Sequence, residues 1–254
     1  MSQMEIERQP MNKNNIDTEY FLIDTVVPNS AAIAAGAAWL DDNGGGCILT
    51  QDKRTMRNAL DVNTDTELKK VEDKLASYGI SLNWSGRGVS NAAGNLMAVY
   101  TNPTIDGEIR RSGLERVFIV PWAEKDCSWF KAAFKPTLVV VNANDELMRA
   151  DMQPVYASMK DEIPEALDHI LGFLAQCAAG YNNRLQWREE ERFKADLMNH
   201  QADWRQVDSE TVLLRCAELG MSAEDSKRIS SMIRQLKAGH KFRPKRGFEE
   251  GFGR

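Results

Sequence analysis

Apolar residues follow two different patterns in the two halves of the chain. In the first half, short unbroken apolar runs alternate with longer stretches whose apolar positions recur every three or four residues. The short runs predict strands at YFLIDTVV (20–27), CILT (47–50), ISLNW (80–84), NLMAVYT (95–101), RVFIVPW (116–122) and TLVVVNA (137–143). The intervening stretches predict helices over AAIAAGAAWL (31–40) and over 53–60, 64–78 and 124–134. Ser30 is placed to cap the first of these, and Gly79 to stop the third, whose stripe is Leu68, Val71 and Leu75. The glycines at 44–46 precede a strand and predict a tight helix-to-strand connection. Continuous apolar strands separated by helices predict an α/β fold over residues 20–145. The sheet is expected to be mostly parallel and Rossmann-like, with about five or six strands and helices on both faces.

The second half reads differently. After Val141 the pattern predicts no strand, and residues 146–239 read as a helical region. Over 163–181, Leu167, Ile170, Leu171 and Leu174 share one face, and Phe173, Cys177 and Tyr181 widen it, which predicts a helix buried on most sides. Residues 183–206 are densely charged and predict one long solvated helix. Its narrow apolar edge is Leu185, Phe193, Leu197 and Trp204, with Glu190 and Lys194 spaced to pair. Two shorter helices follow, one marked by Val212, Leu213, Cys216 and Leu219, the other capped by Ser222 and carrying Ile229, Met232, Ile233 and Leu236. Residues 1–19 read as a flexible leader without a secretory signal, and 240–254 as a flexible basic tail.

Composition narrows the class. Of 254 residues, 43% are hydrophobic and 27% charged, the balance of an ordinary globular chain. No apolar run is long enough for a membrane span, so no membrane partner is expected. The four cysteines, Cys47, Cys127, Cys177 and Cys216, lie far apart and form no CxxC pair, which predicts a reducing, cytoplasmic setting without zinc or disulfides. His169, His200 and His240 stand alone, and HExxH, GxSxG, GxGxxG and GK[ST] are absent. His169 reads as a partly buried structural residue. The loop SGRGVSNAAGN (85–95), with Arg87, reads as a solvent turn before a phosphate cradle, and Trp122, Trp129 and Phe130 as core aromatics before base-stacking ones.

Charge is the clearest departure from the ordinary. Lys227, Arg228, Arg234, Lys237, Lys241, Arg243, Lys245 and Arg246 occur between Ser226 and Arg246 with no acid among them, in a chain of net charge −5. Removing those eight leaves −5 − 8 = −13 for the rest. Such asymmetry predicts a basic arm for an acidic partner, either a protein or nucleic-acid phosphates. The leading expectation is a non-catalytic macromolecular interaction protein, in which the α/β body is a scaffold for that arm, with no cofactor. ELGMSAEDSKRI resembles a helix-turn-helix in its glycine turn, but Ser226 falls where an apolar residue is wanted, so two packed helices are expected.

The alternative is a metal-dependent phosphodiester hydrolase. Parallel sheets bind ligands at the carboxyl ends of their strands, where this sequence places Asp24, Asp52, Asn102 and Asp145. Asp24, Asp52 and Asp145 are candidate ligands for Mg²⁺ or Mn²⁺, with Asp24 and Asp52 as catalytic acids. The fragments FLIDT and ILTQDKRTMRNA resemble PIN-type nuclease strands, where an acid closes one strand and a TxD turn follows another. The likeness is local: the two motifs lie closer together than in that family, and its intervening acidic helix is missing. The plainer role for Asp24 and Asp52 is as turn or cap residues.

Overall fold

A computed structural model of the chain describes residues 18–23, 29–85, 87, 94–101, 105–111, 114–121, 124–141, 147–149, 158–181 and 184–253. Its centre is one sheet of β1 (Glu19–Ile23), β2 (Gly46–Thr50), β3 (Ile80–Trp84), β4 (Asn95–Thr101), β5 (Arg116–Pro121), β6 (Thr137–Val141) and β7 (Leu147–Arg149). The strand order is β3-β2-β4-β5-β1-β6-β7. Strands β1 to β6 are all parallel. The six predicted strands therefore form the Rossmann-like α/β sheet that their unbroken apolar runs imply. The seventh is a correction, because no strand was expected after Val141. It has three residues, too few for a readable pattern, and is defined by antiparallel pairing of Val139 with Arg149 and Val141 with Leu147.

Helices cover both faces. On one, α1 (Asn29–Asp42), α2 (Lys53–Ala59) and α3 (Asp65–Ala76) bury Ile33, Leu40, Met56 and Leu68 against Ile48, Met97 and Phe118. On the other, α4 (Asp106–Arg111) and α5 (Glu124–Phe134) bury Ile109, Trp129 and Phe130 against Leu49, Leu96 and Ile119. Two-sided cover explains why β4 is buried along its whole length and shows no alternation. Helix α1 starts at Asn29, so Ser30 lies inside it rather than before it. Helix α3 begins in a reciprocal cap between Thr64 and Glu67. Between α1 and β2, Gly45 has φ +92°, and a Cβ there would lie 2.5 Å from the Gly79 carbonyl oxygen. The glycine run is thus a site of close backbone approach.

The C-terminal region comprises α6 (Glu165–Ala179), α7 (Trp187–Asn199), α8 (Gln201–Gln206), α9 (Ser209–Glu218) and α10 (Ala223–Lys237) around a core of Leu167, Leu171, Leu174, Phe193, Leu197 and Trp204. Helix α9 packs on α5, and Ala217 and Ala223 join the core beneath that face of the sheet. The single long helix expected over 183–206 is instead two, broken at His200. The break brings the Trp204 indole N–H to the buried Asp196 carboxylate, at 2.7 Å. An unbroken helix would hold those residues about 12 Å apart along its axis. Helix α6 is buried on one side only, since Phe173 and Tyr181 remain 37% and 58% exposed.

Residues 240–253 hold no helix or strand, yet they are docked rather than free. Phe242 and Phe252 pack on the helical core, and Phe252 meets Phe173 edge-on at 5.6 Å. Phe248 meets Trp187 at the same centroid distance, 5.6 Å. The Lys245 backbone N–H donates to the Glu191 carboxylate at 2.7 Å, and the Asn199 amide donates to the Glu249 carbonyl at 2.8 Å. No described helix is long and apolar enough to cross a membrane.

Candidate functional site

The chain leaves β2 towards β3 through α2 and α3, and leaves β4 towards β5 through α4 on the opposite face. The carboxyl ends of β2 and β4 therefore flank the topological switch point, where sheets of this kind form a ligand crevice. Strand β2 ends at the fully buried Thr50, whose hydroxyl donates to the Asp52 carbonyl at 2.9 Å. Strand β4 ends at the fully buried Thr101, whose hydroxyl has no hydrogen-bond partner among the described residues. Between Val99 and Thr101 the register shifts, and Tyr100 there has φ +51°. A buried aromatic in the left-handed region costs about 1–3 kcal/mol and marks a bulge that re-aims its neighbours.

Asp52 is exposed, and its carboxylate caps α2 by accepting the Thr55 backbone N–H at 2.7 Å. That hydrogen bond, reinforced by Thr55 and Arg54, outweighs slight desolvation and holds its pKa below the ordinary aspartate value. Asp24, Asn102 and Asp145 lie outside the described residues. Among the described residues no group of three His, Cys, Asp or Glu side chains is placed to hold a metal. Beside Asp52, the Trp84 ring carries the Arg87 guanidinium at 4.7 Å and the Lys53 ammonium at 5.9 Å.

The eight predicted cations lie on α10 and on the segment that follows it. Lys227, Arg228, Arg234 and Lys237 project from the exposed side of α10, opposite buried Ile229, Met232, Ile233 and Leu236. Lys241, Arg243, Lys245 and Arg246 are exposed on the docked segment that follows. Two of the eight have close internal partners, and Lys237 lies near enough to Asp208 to help lower its pKa. Arg228 reaches Glu190 and Glu224, each at 3.3 Å, and the Lys245 ammonium lies 4.7 Å from the Trp187 ring centroid. For the other six no ion pair occurs among the described residues. Helix α7 ties the two groups together through Arg228–Glu190 and through the Lys245 N–H on Glu191. Burial alone would raise the Glu191 pKa. The Lys194 ammonium at 3.0 Å and the Lys245 N–H reverse this, so the net shift is downward and the anchor stays ionised.

The helix-turn-helix likeness ends in a packed pair. Gly220 has φ +84°, and Ser226 is fully buried, with its hydroxyl satisfied by the Ser222 carbonyl at 2.8 Å. Trp129 and Phe130 are core residues. His169, expected to be partly buried, is exposed and lines a groove of about 630 Å³ between α6, α7 and the C-terminal segment. Comparison with known proteins adds no assignment. No family model, curated protein or solved structure matches the chain.

Sequence reasoning passed over one set of residues in the helical region. Trp187 is 51% exposed at the start of α7, close to exposed Arg184, Arg188 and Arg192. A signal was present: Trp187 sits six residues before Phe193, about 120° around the helix from it, which sets the ring off that residue's buried face.

Proposed function

We propose that this chain is a non-catalytic interaction protein whose basic face, formed by α10 and the docked C-terminal segment, binds an acidic macromolecule, with nucleic-acid phosphates as its target. The observation that carries this reading is the set of six exposed cations, Lys227, Arg234, Lys237, Lys241, Arg243 and Arg246, gathered on neighbouring elements without internal ion pairs among the described residues. The exposed acids of these elements, Glu224, Glu249 and Glu250, stand at their ends, and the acid-free run between them is an electrostatic footprint for an oppositely charged partner. The α/β body serves as the rigid support, through the packing of α9 on α5.

Removing residues 239–254 would be a poor test, because it also strips Phe242 and Phe252 from the helical core. Replacing Lys227, Arg234, Lys237 and Lys241 together by Gln removes charge from exposed positions and leaves the packing intact. If those four meet phosphates, log K falls against log salt with a slope of about −3 to −4, and the quadruple variant flattens it. Fluorescence anisotropy across a salt series reads both. A wild-type chain that binds no nucleic acid in low salt, or a variant with unchanged affinity and slope, refutes the reading.

A further inference from the structure

Among the described residues, three of the four large exposed hydrophobic side chains belong to α6, α7 and the turn between them. Phe173 and Tyr181 project from α6 and its end, and Trp187 opens α7, at 37%, 58% and 51% exposure. Phe248 and Phe252 of the docked segment stand edge-on to Trp187 and Phe173, each at 5.6 Å, and so hold those rings in place while leaving their outer surfaces open. The groove of about 630 Å³ between them is lined by Phe173, Phe248, Phe252, Arg192, Glu249 and Glu250. A solvent-facing tryptophan with its rotamer fixed by a second ring is not explained by core packing.

Cations are interleaved with these rings. The Arg188 guanidinium lies 5.7 Å and the Lys245 ammonium 4.7 Å from the Trp187 ring centroid. Exposed Arg184 and Arg192 flank the same ring in sequence, before and after it, and Arg243 and Arg246 flank Lys245. Of the acids on this side, Glu190 and Glu191 are offset by Lys194, whereas Glu189, Glu249 and Glu250 keep their charge. Glu190 pairs with Lys194 at 2.7 Å, and Glu191 accepts from Lys194 and from the Lys245 N–H. Glu249 accepts the Gly247 N–H at 2.8 Å, and Glu250 and the half-buried Glu189 remain. Half-exposed rings, with cations that a base could displace from the Trp187 face, match a chain of unpaired bases and phosphates, in which each base offers a π-face and each linkage a charge. A duplex buries its bases in its own stack and cannot use the rings.

From this arrangement we infer that the α6–α7 surface, with the docked C-terminal segment, is a stacking platform for single-stranded nucleic acid. The inference rests on the basic-face reading above and specifies its substrate. Trp187 is the central ring, and Arg188, Arg192 and Lys245 hold the flanking phosphates.

The test uses the full chain, a labelled oligo(dT) and the same strand paired with oligo(dA). The expected result is single-strand binding at least about tenfold tighter than duplex binding, with quenched tryptophan fluorescence. Trp187→Leu keeps apolar bulk against Phe248 and removes the indole. It should weaken single-strand binding by about five- to a hundredfold and leave duplex binding unchanged. Trp187→Tyr should restore most of the loss. Arg188→Gln, at an exposed position, gives an independent second variant and should weaken the single-strand complex and reduce its salt slope by about one. Equal affinity for both strand forms, with no effect of Trp187→Leu, overturns the platform and leaves the basic-face reading standing. Tight single-strand binding indifferent to both variants also overturns it, by placing the site elsewhere. Binding to neither strand form overturns both readings.

Discussion

Replacing Gly45 by Ala should destabilise the protein far more than the same change at Gly44, one residue earlier. Both glycines have a positive φ, +85° at Gly44 and +92° at Gly45. An alanine at either position therefore carries the penalty of the left-handed region, about 1–2 kcal/mol. At Gly44 nothing lies within 4 Å of the added Cβ, so that penalty is the whole cost. At Gly45 the Cβ would sit 2.5 Å from the Gly79 oxygen and 2.9 Å from its carbonyl carbon. Neither atom belongs to a flexible side chain. The same oxygen accepts the Gly46 N–H at 3.0 Å, the bond that starts the pairing of β2 with β3. Moving it away weakens that bond, worth about 1 kcal/mol, and adds overpacking strain of about 1–3 kcal/mol. The total for Gly45→Ala is about 3–6 kcal/mol. In a chain of 254 residues this lowers Tm by about 6–24 °C, against about 2–8 °C for Gly44→Ala. Calorimetry or circular dichroism melting of the two variants side by side reads the difference. Equal shifts would show that the approach of Gly45 to Gly79 is not tight and that only the dihedral angle matters.

Three further outcomes follow from the described geometry. Thr101→Val should leave stability unchanged or raise it by about 1 kcal/mol, because it removes a buried hydroxyl without a partner among the described residues; a clear loss in urea melts would mean that the hydroxyl is satisfied. Asp52→Ala should cost about 1 kcal/mol at pH 7 through loss of the α2 cap. Because the folded-state pKa of Asp52 is depressed, that stabilisation is present above its unfolded pKa and is lost as pH falls through the folded value, so in acid melts the two proteins should begin to converge near about pH 4 and meet only below the folded value. Asp52→Asn retains a cap, so any Mg²⁺-dependent phosphodiester cleavage that it abolished would trace to the carboxylate charge and not to folding. Phe252→Ala should loosen the C-terminal segment and weaken nucleic-acid binding without removing a charge, and proteolysis at Lys241–Arg246 should speed up in parallel; unchanged cleavage would refute the anchoring role.

The sheet was legible in the sequence because strands covered on both faces, such as Leu96–Thr101 and Val117–Val120, are unbroken apolar runs. Strand β7 was not, because three residues carry no period. The break at His200 was hidden for a different reason. The charged run 187–206 is helical on both sides of it, and only the buried Asp196–Trp204 hydrogen bond, between residues eight apart, demands the turn. Asp52 as a cap follows from its position before a helix, whereas the strained Tyr100 does not, since tyrosine is an ordinary strand residue and only the register shift reveals it. The docking of residues 240–253 was invisible because its partners, Phe173, Trp187 and Glu191, lie 50 or more residues earlier, and a segment with three phenylalanines among many charges shows no periodicity of its own.

That docking changes how a basic arm can work. A flexible arm must surrender backbone freedom when it binds, at about 1–2 kcal/mol per residue, and this offsets much of what each phosphate contact contributes. Here the cost is met during folding, by Phe242 and Phe252 on the helical core and by the Lys245 N–H on a buried carboxylate. The cations between those anchors are held against α7, which also pairs with α10 through Arg228. Their field is then that of a rigid patch, in which more of each contact survives as affinity and the spacing of charges constrains which strand geometries fit. The acidic residues of α7 have a structural part in this arrangement. Glu191 holds the segment by its backbone and Glu190 holds α10 by Arg228. The negative charge of the body thus positions the basic face while neutralising little of it.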